Sequence, residues 1–215
     1  MGYIVGALLG YLLGSIPTGY LVAAARGIDI RTVGSGNIGA TNVFRYLGVP
    51  AGVFVLLADA FKGWLSVVVL TQLIWTFFHA SAAPQAQEWL AIIAGLSAIL
   101  GHNFTCWLHF KGGKGIATSA GVLAALVPWA LLIILAIWIV VFGLGRYVSL
   151  ASICAAAALP FATWLTGQSA TLILITGVMG ALAIYKHKAN IQRLLQRTEN
   201  RIGMKKAPLP PKDPV

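Results

Sequence analysis

The sequence predicts an all-α integral membrane protein, a bundle of about seven transmembrane helices of which two are short. Three observations carry that expectation. Of 215 residues, 59% are hydrophobic and 9% are charged, whereas soluble domains carry about 25% charged residues. Apolar runs near the length of a spanning helix, roughly 20 residues, recur along the chain. The 15 Lys and Arg, against 5 Asp and Glu, collect in segments that can all lie on one side of a membrane.

The first apolar run is Tyr3–Ala25, closed by Arg26. Pro17 inside it, with Ser15 and Thr18 nearby, predicts a kink. No basic segment precedes this run, so a cleaved signal peptide is not expected. A polar, glycine-rich loop, Gly27–Arg45, follows. The second run lies within Ala51–Phe78, its embedded part expected from about Ala60, and Asp59 and Lys62 share a face at its start. The third, Trp89–Trp107, carries His102 and Asn103 near its end.

Ile116–Leu144 is the ambiguous segment. As one helix it would put Arg146 and the basic C-terminus on the side opposite Lys111 and Lys114, against the positive-inside rule. A tight turn at Pro128 between two short helices, each of about 12–14 residues and so shorter than an ordinary span, removes the conflict. Two further runs, Val148–Trp164 and Ser169–Tyr185, complete seven crossings, with the N-terminus outside and the C-terminus in the cytoplasm. The chain then divides into a membrane domain over 1–185, a basic cytoplasmic segment over 186–200 and a proline-rich, disordered tail over 201–215.

A net charge of +10 would point to nucleic acid in a soluble protein. Here it points to membrane orientation and to anionic lipids or substrates. Cys106 and Cys154 sit in apolar context and the four histidines are scattered, so neither a disulfide framework nor a metal site is expected.

Phe110–Thr118, FKGGKGIAT, concentrates Lys111 and Lys114 among Gly112, Gly113 and Gly115. Glycines let backbone N–H groups approach a ligand and lysines add positive charge, a combination suited to phosphate. Thr118 opens a helix behind this loop, which makes a helix N-terminus available to an anion. Gly34–Arg45, GSGNIGATNVFR, has the same flavour, with Ser35, Gly36, Asn37, Thr41, Asn42 and Arg45. Arg146 with Ser149, and His187, Asn190 and Arg193, fall on the same side. Orientation alone would account for basic loops, but not for glycines packed around lysines. Several motif matches fail: GSGNIG lacks a βαβ context, Lys114 is followed by Gly rather than Ser or Thr, and neither His102 nor His109 has the His-x4-Asp spacing of one acyltransferase class. A transporter for a phosphorylated metabolite would also need a basic site, but near the midplane and between repeats, and no repeat is evident.

Three blocks resemble the PlsY family of bacterial membrane glycerol-3-phosphate acyltransferases: Ser35–Arg45, Gly101–Thr118 and His187–Asn200. The pieces GSIPTGYL, DAFKG and RYVSL are similar to the family as well. Arg197 departs from it, standing where the family usually has glycine. The resemblance implies a seven-helix bundle in the bacterial inner membrane with its site on the cytoplasmic side. It implies transfer of a fatty acyl group from acyl phosphate to the 1-hydroxyl of sn-glycerol 3-phosphate, giving lysophosphatidic acid and phosphate as an early step of phospholipid biosynthesis. The acyl phosphate would come from the soluble enzyme PlsX, and no cofactor is implied. On this reading Ser35, Gly36, Asn37 and Lys111–Gly115 cradle phosphate, and Arg45 and Lys114 hold glycerol 3-phosphate. Thr41, Asn42, Ser149, His187 and Asn190 orient substrates, with Thr118 and Arg193 beside them. His187, His102 or a substrate phosphate takes the proton.

Overall fold

A computed structural model describes residues 1–78 and 84–203. The proline-rich end of the tail, with Lys205, Lys206 and Lys212, and part of the loop before Pro84 lie outside the described residues.

The first apolar run is broken where Pro17 was expected to kink it: α1 spans Gly2–Ser15 and α2 Thr18–Ala24. Pro17 has no N–H to donate and its ring crowds the preceding turn, so the helix breaks there. Two carbonyls at the break accept from buried side chains: Ser15 O from Thr105 Oγ1 at 2.5 Å, and Ile16 O, which also accepts from Thr18 N at 3.0 Å, from Lys62 Nζ at 2.9 Å. The glycine-rich loop leads into α3, Ala40–Leu47. The second span runs as α4, Val49–Leu65, a π-helical stretch Ser66–Leu70, and α5, Thr71–Phe78. This helix begins well before Ala60, because Gly48 with φ +87° ends α3 and Pro50 sits in the first turn of α4, where a missing N–H costs nothing.

Helix α6, Pro84–Asn103, packs along α1 in the same direction. Gly10 lies against Ala94, Gly14 against Ala98 and Gly101 against Tyr11, close enough that a Cβ on any of them would collide with facing backbone. Small residues at such spacing let helix backbones approach in lipid, where packing rather than the hydrophobic effect drives association.

The ambiguous segment is two helices. α7 covers Ile116–Leu126 and α8 Pro128–Gly145, broken at Val127. The split at Pro128 stands where the charge argument put it, but the halves are unequal, 11 and 18 residues. α7 starts beside Asn103 and packs on α4, with Gly63 against Thr118 and Gly121 against Ala60. α8 returns to the same end, where Arg146 O accepts from Ile202 N at 3.0 Å. α9, Val148–Leu165, and α10, Ala170–Lys186, close the bundle, and α11, Lys188–Leu195, bends away from α10 by 57°. Among the described residues, five helical stretches are long and apolar enough to cross a membrane, six if the bent pair counts as one span, with α7 as a further short apolar helix. One hydrophobic cluster joins Val67, Ile92, Val122, Leu159 and Met179 from α6 to α10 and the π stretch, and a second joins Ile30, Val43 and Val55 around α3 and α4, while Leu57, Phe77 and Leu144 stand exposed on the outside, as lipid-facing side chains do.

Candidate functional site

Every segment singled out for its polar residues ends at the same end of the bundle. The lysine loop is folded back over the end of α6: Gly112 N donates to Asn103 O at 3.2 Å and Gly113 N to His102 O at 3.0 Å. Two consecutive non-glycine residues before it, His109 and Phe110, have φ of +53° and +60°. That conformation is disfavoured for side chains bearing a Cβ, and such strain gathers at functional sites. The first N–H groups of α7 follow directly and have no partner within the helix. Thr118 Oγ1 and both amide atoms of Asn103 are buried below the loop with no hydrogen bond among the described residues.

The Gly34–Arg45 loop is stapled by one side chain. Asn42 is buried; its Oδ1 accepts from Ser35 N at 3.2 Å, and its Nδ2 donates to Ile30 O at 3.2 Å and Val33 O at 3.0 Å. Both amide hydrogens are therefore spent on loop shape. Asn37 Oδ1 accepts from Gly39 N at 2.9 Å, and Ser35 and Gly36 stand exposed. Thr41 and Arg45 lie part-buried on α3, and Arg45 Nη2 reaches Asn200 O at 3.5 Å.

The convergence centre is Glu199, which the sequence reading had not assigned a role. Ser149 Oγ donates to its Oε1 at 2.9 Å, Asn190 Nδ2 to the same oxygen at 2.8 Å, and Arg193 Nε to Oε2 at 2.7 Å. Ser149, Asn190 and Arg193 are thus brought together by one carboxylate. Burial pushes the Glu199 carboxyl up, but those three hydrogen bonds together outweigh it and hold it below the usual range. Lys114 and Arg45 feel the same carboxylate. Burial lowers Lys114 to about 8, Glu199 working against that and Arg193 and Arg45 adding to it. Burial lowers Arg45 as well. Lys111 is exposed and stands outside this group.

Glu199 is held there by a reversal of the chain. After α11, Thr198 N donates to Arg193 O and Arg197 N to Leu194 O, with Arg197 at φ +58°. This is the paired hydrogen bonding of a left-handed helix C-terminus, which favours glycine at the turning position. It explains why Arg197 stood out as a departure in the third block.

The two histidines have different settings. His187 Nδ1 donates to Ala183 O at 2.7 Å, which leaves Nε2 as the acceptor nitrogen of the neutral ring. His102 belongs to another cluster altogether: its Nδ1 lies 3.0 Å from Lys62 Nζ, and Lys62 pairs with Asp59 at 2.8 Å. Asp59 also accepts from Thr18 Oγ1 at 3.1 Å. The structure therefore does not bring His102 together with Ser149, His187 and Asn190. Lys186, unassigned by the sequence reading, donates to Asn103 O at 2.9 Å and lies 4.4 Å from the Phe104 ring, tying the end of α10 to the lysine loop. Its position beside His187 was the only sequence signal for it.

A groove of about 530 Å³ runs along the middle and far half of α7, lined by Ala60, Phe61 and Trp64 of α4, Ala120, Gly121 and Ala124 of α7, and Leu131 of α8. It is apolar and opens sideways out of the bundle.

Comparison with known proteins agrees with this arrangement. Residues 4–197 match the family model for glycerol-3-phosphate acyltransferase. The chain is 46% identical over 196 residues to the glycerol-3-phosphate acyltransferase of Endomicrobium trichonymphae, covering 91% of this chain and 93% of that one. It is 47% identical over 197 residues to that of Geotalea daltonii, covering 92% and 94%. Among solved structures, the glycerol 3-phosphate form of PlsY, an integral membrane glycerol 3-phosphate acyltransferase, superposes with a TM-score of 0.83 at 38% identity, covering 94% of this chain and 96% of that one. The lysophosphatidic acid form gives 0.81 at 37%, with the same coverage. The chain belongs to the glycerol-3-phosphate acyltransferase family and has the fold of PlsY, an integral membrane enzyme that acylates glycerol 3-phosphate.

Proposed function

We propose that the acyl donor is acyl phosphate and that the 1-hydroxyl of sn-glycerol 3-phosphate attacks its carbonyl carbon. The new ester C–O bond forms, the bond from the carbonyl to the phosphate oxygen breaks, and inorganic phosphate leaves with lysophosphatidic acid as the other product. A mixed anhydride has a good leaving group, so the work of the protein is positioning and charge stabilisation. The observation that carries this reading is the surplus of cations around Glu199. Lys114, Arg45 and Arg193 face one carboxylate, and a phosphate-bearing substrate supplies the missing negative charge.

Within that site, Lys114 and Arg45 hold glycerol 3-phosphate, while the Gly112–Gly115 backbone with the first turn of α7, and the Ser35–Asn37 loop, receive phosphate oxygens. Ser149, Asn190 and Arg193 fix the carboxylate that orients the cations, so segment 186–200 completes the site. Nε2 of His187 accepts the hydroxyl proton, since its Nδ1 is already committed to Ala183. The acyl chain lies in the sideways groove between α4 and α7, whose lining begins about five residues, roughly 8 Å of helix rise, beyond Gly115. The basic end of the bundle faces the cytoplasm, where the soluble enzyme PlsX delivers acyl phosphate. Among the described residues, that end holds the Lys and Arg side chains, which supports this orientation.

The test is direct. Purified protein in detergent is given acyl phosphate and labelled glycerol 3-phosphate. Labelled lysophosphatidic acid is expected, and none above a Lys114→Ala control would sink the proposal. A cysteine beside Pro128 should react with a membrane-impermeant reagent from the outside of intact cells; labelling only from the cytoplasm would reverse the orientation.

A further inference from the structure

The geometry points to His102 as a positioning residue for the phosphate cradle, held by the buried Asp59–Lys62 pair and supporting the lysine loop from below. The inference rests on the reading that this loop receives phosphate. Asp59, Lys62 and His102 are at most 5% exposed. Such residues inside a membrane span are costly unless every polar atom has a partner, and they invite a functional explanation.

Lys62 is saturated. Its ammonium has three hydrogens and meets three acceptors: Asp59 Oδ1 at 2.8 Å, Ile16 O at 2.9 Å and His102 Nδ1 at 3.0 Å. An ammonium only donates, so Nδ1 of His102 is the acceptor and the ring proton sits on Nε2. Ile16 O faces Lys62 because the first span breaks at Pro17, where the carbonyl accepts from both Thr18 N and Lys62 Nζ. The break and the cluster are therefore one construction.

The Nε2 edge of the ring meets the loop. A Cβ on Gly113 would collide with His102 Nε2, and one on Gly112 would collide with His102 O. The backbone carbonyls of His102 and Asn103 hold Gly113 N and Gly112 N at 3.0 and 3.2 Å. Thus the loop lies on the imidazole, and the height of Lys114 above α6 follows from the angle at which Lys62 holds that ring. Among the described residues His102 makes no hydrogen bond to Ser149 or His187, and its Nδ1 is occupied by Lys62, so it acts through the loop rather than on the reacting atoms.

Two variants of the full-length protein test this. His102→Asn removes the ring but keeps a short acceptor, and Asp59→Asn with Lys62→Met removes the support without leaving an unpaired buried charge. A displacement near 1 Å costs on the order of 100-fold in kcat/KM. The expected result is a loss of that order, carried by KM for glycerol 3-phosphate, with kcat at saturation largely kept. A fall in kcat at unchanged KM would make His102 a group acting on the reacting atoms and overturn the inference, as would unchanged kinetics. If neither variant folds, the wild-type protein decides. Nitrogen-15 spectra should show His102 as the Nε2–H tautomer and His187 as the Nδ1–H tautomer; an Nδ1–H signal from His102 overturns the proposal. Lys114→Ala with full activity would instead sink the phosphate reading and leave the tautomers untouched.

Discussion

Two carboxylates, Asp59 and Glu199, each gather basic and polar side chains near the same end of the bundle, and they do so to opposite effect. Around Asp59 the account is closed: one carboxylate, one ammonium, and each ammonium hydrogen bonded to protein. Around Glu199 it is open, because one carboxylate faces Lys114, Arg45 and Arg193. A closed cluster holds shape, whereas an open one with surplus charge of one sign holds a ligand of the other. Basic side chains at a membrane surface are thus told apart by what remains unbalanced rather than by residue type.

Removing the surplus should have the largest effect. Lys114→Ala is expected to lower kcat/KM by on the order of 100- to 1,000-fold, as loss of a preorganised donor does. Steady-state kinetics check it, and a loss under threefold would mean that the Glu199 group is as closed as the Asp59 group.

Glu199→Gln is expected next. It keeps the shape and leaves three cations without their counter-charge. Hydrogen bonds to charged groups contribute about 1.5–3 kcal/mol each, and Arg193 is part-exposed, so a net destabilisation near the lower figure, about 1.5 kcal/mol, is expected in thermal unfolding. Losing the carboxylate also lets Lys114 deprotonate at lower pH.

The pH profile gives a smaller and more diagnostic effect. Burial lowers Lys114 to about 8, so its charged form is lost as pH rises through that value. KM for glycerol 3-phosphate should be flat below it and rise above it, by at most about tenfold per pH unit for a single group. In Glu199→Gln the break should move to lower pH. A profile flat from pH 7 to 9.5 would remove Lys114 from the phosphate contact.

The smallest effect is at the turn that delivers Glu199. Arg197 holds φ +58°, a conformation costing a residue with a Cβ about 1 kcal/mol or more. Arg197→Gly is expected to raise stability by about 0.5–1 kcal/mol, after the added freedom of glycine in the unfolded chain is counted. Unchanged activity is expected with it, and a fall in melting temperature would contradict the left-handed turn.

Much of this was legible in the sequence because lipid simplifies the problem. Spans and the side on which basic residues lie follow from hydropathy and charge, and the split at Pro128 followed from keeping Arg146 and the basic C-terminus on the side of Lys111 and Lys114. The unequal lengths of α7 and α8 did not, since nothing in the apolar run Pro128–Gly145 marks how far each half extends. Site residues beside glycines, Lys114 and Arg45, were visible, and Asn190 was visible in the polar segment that follows the last apolar run. Glu199 lay inside the third block but was not singled out, because a lone acid in a basic segment has no periodic signal of its own and Ser149, 50 residues away, is joined to it only by the fold. His102 was visible as unusual, but its partner Lys62 lies 40 residues away, so its setting could not be read.

The groove between α4 and α7 is largely open on its outer side. An acyl chain lodged there, as proposed, would remain in contact with the surrounding leaflet throughout turnover, and its tail would need no passage through water to arrive or depart. Exchange then becomes two-dimensional diffusion rather than desorption, and the abundance that matters is donor per area of membrane. Any single-chain amphiphile dissolved in the same leaflet would then compete for the same slot, and apparent saturation would reflect the surrounding lipid as much as the enzyme's own polar contacts.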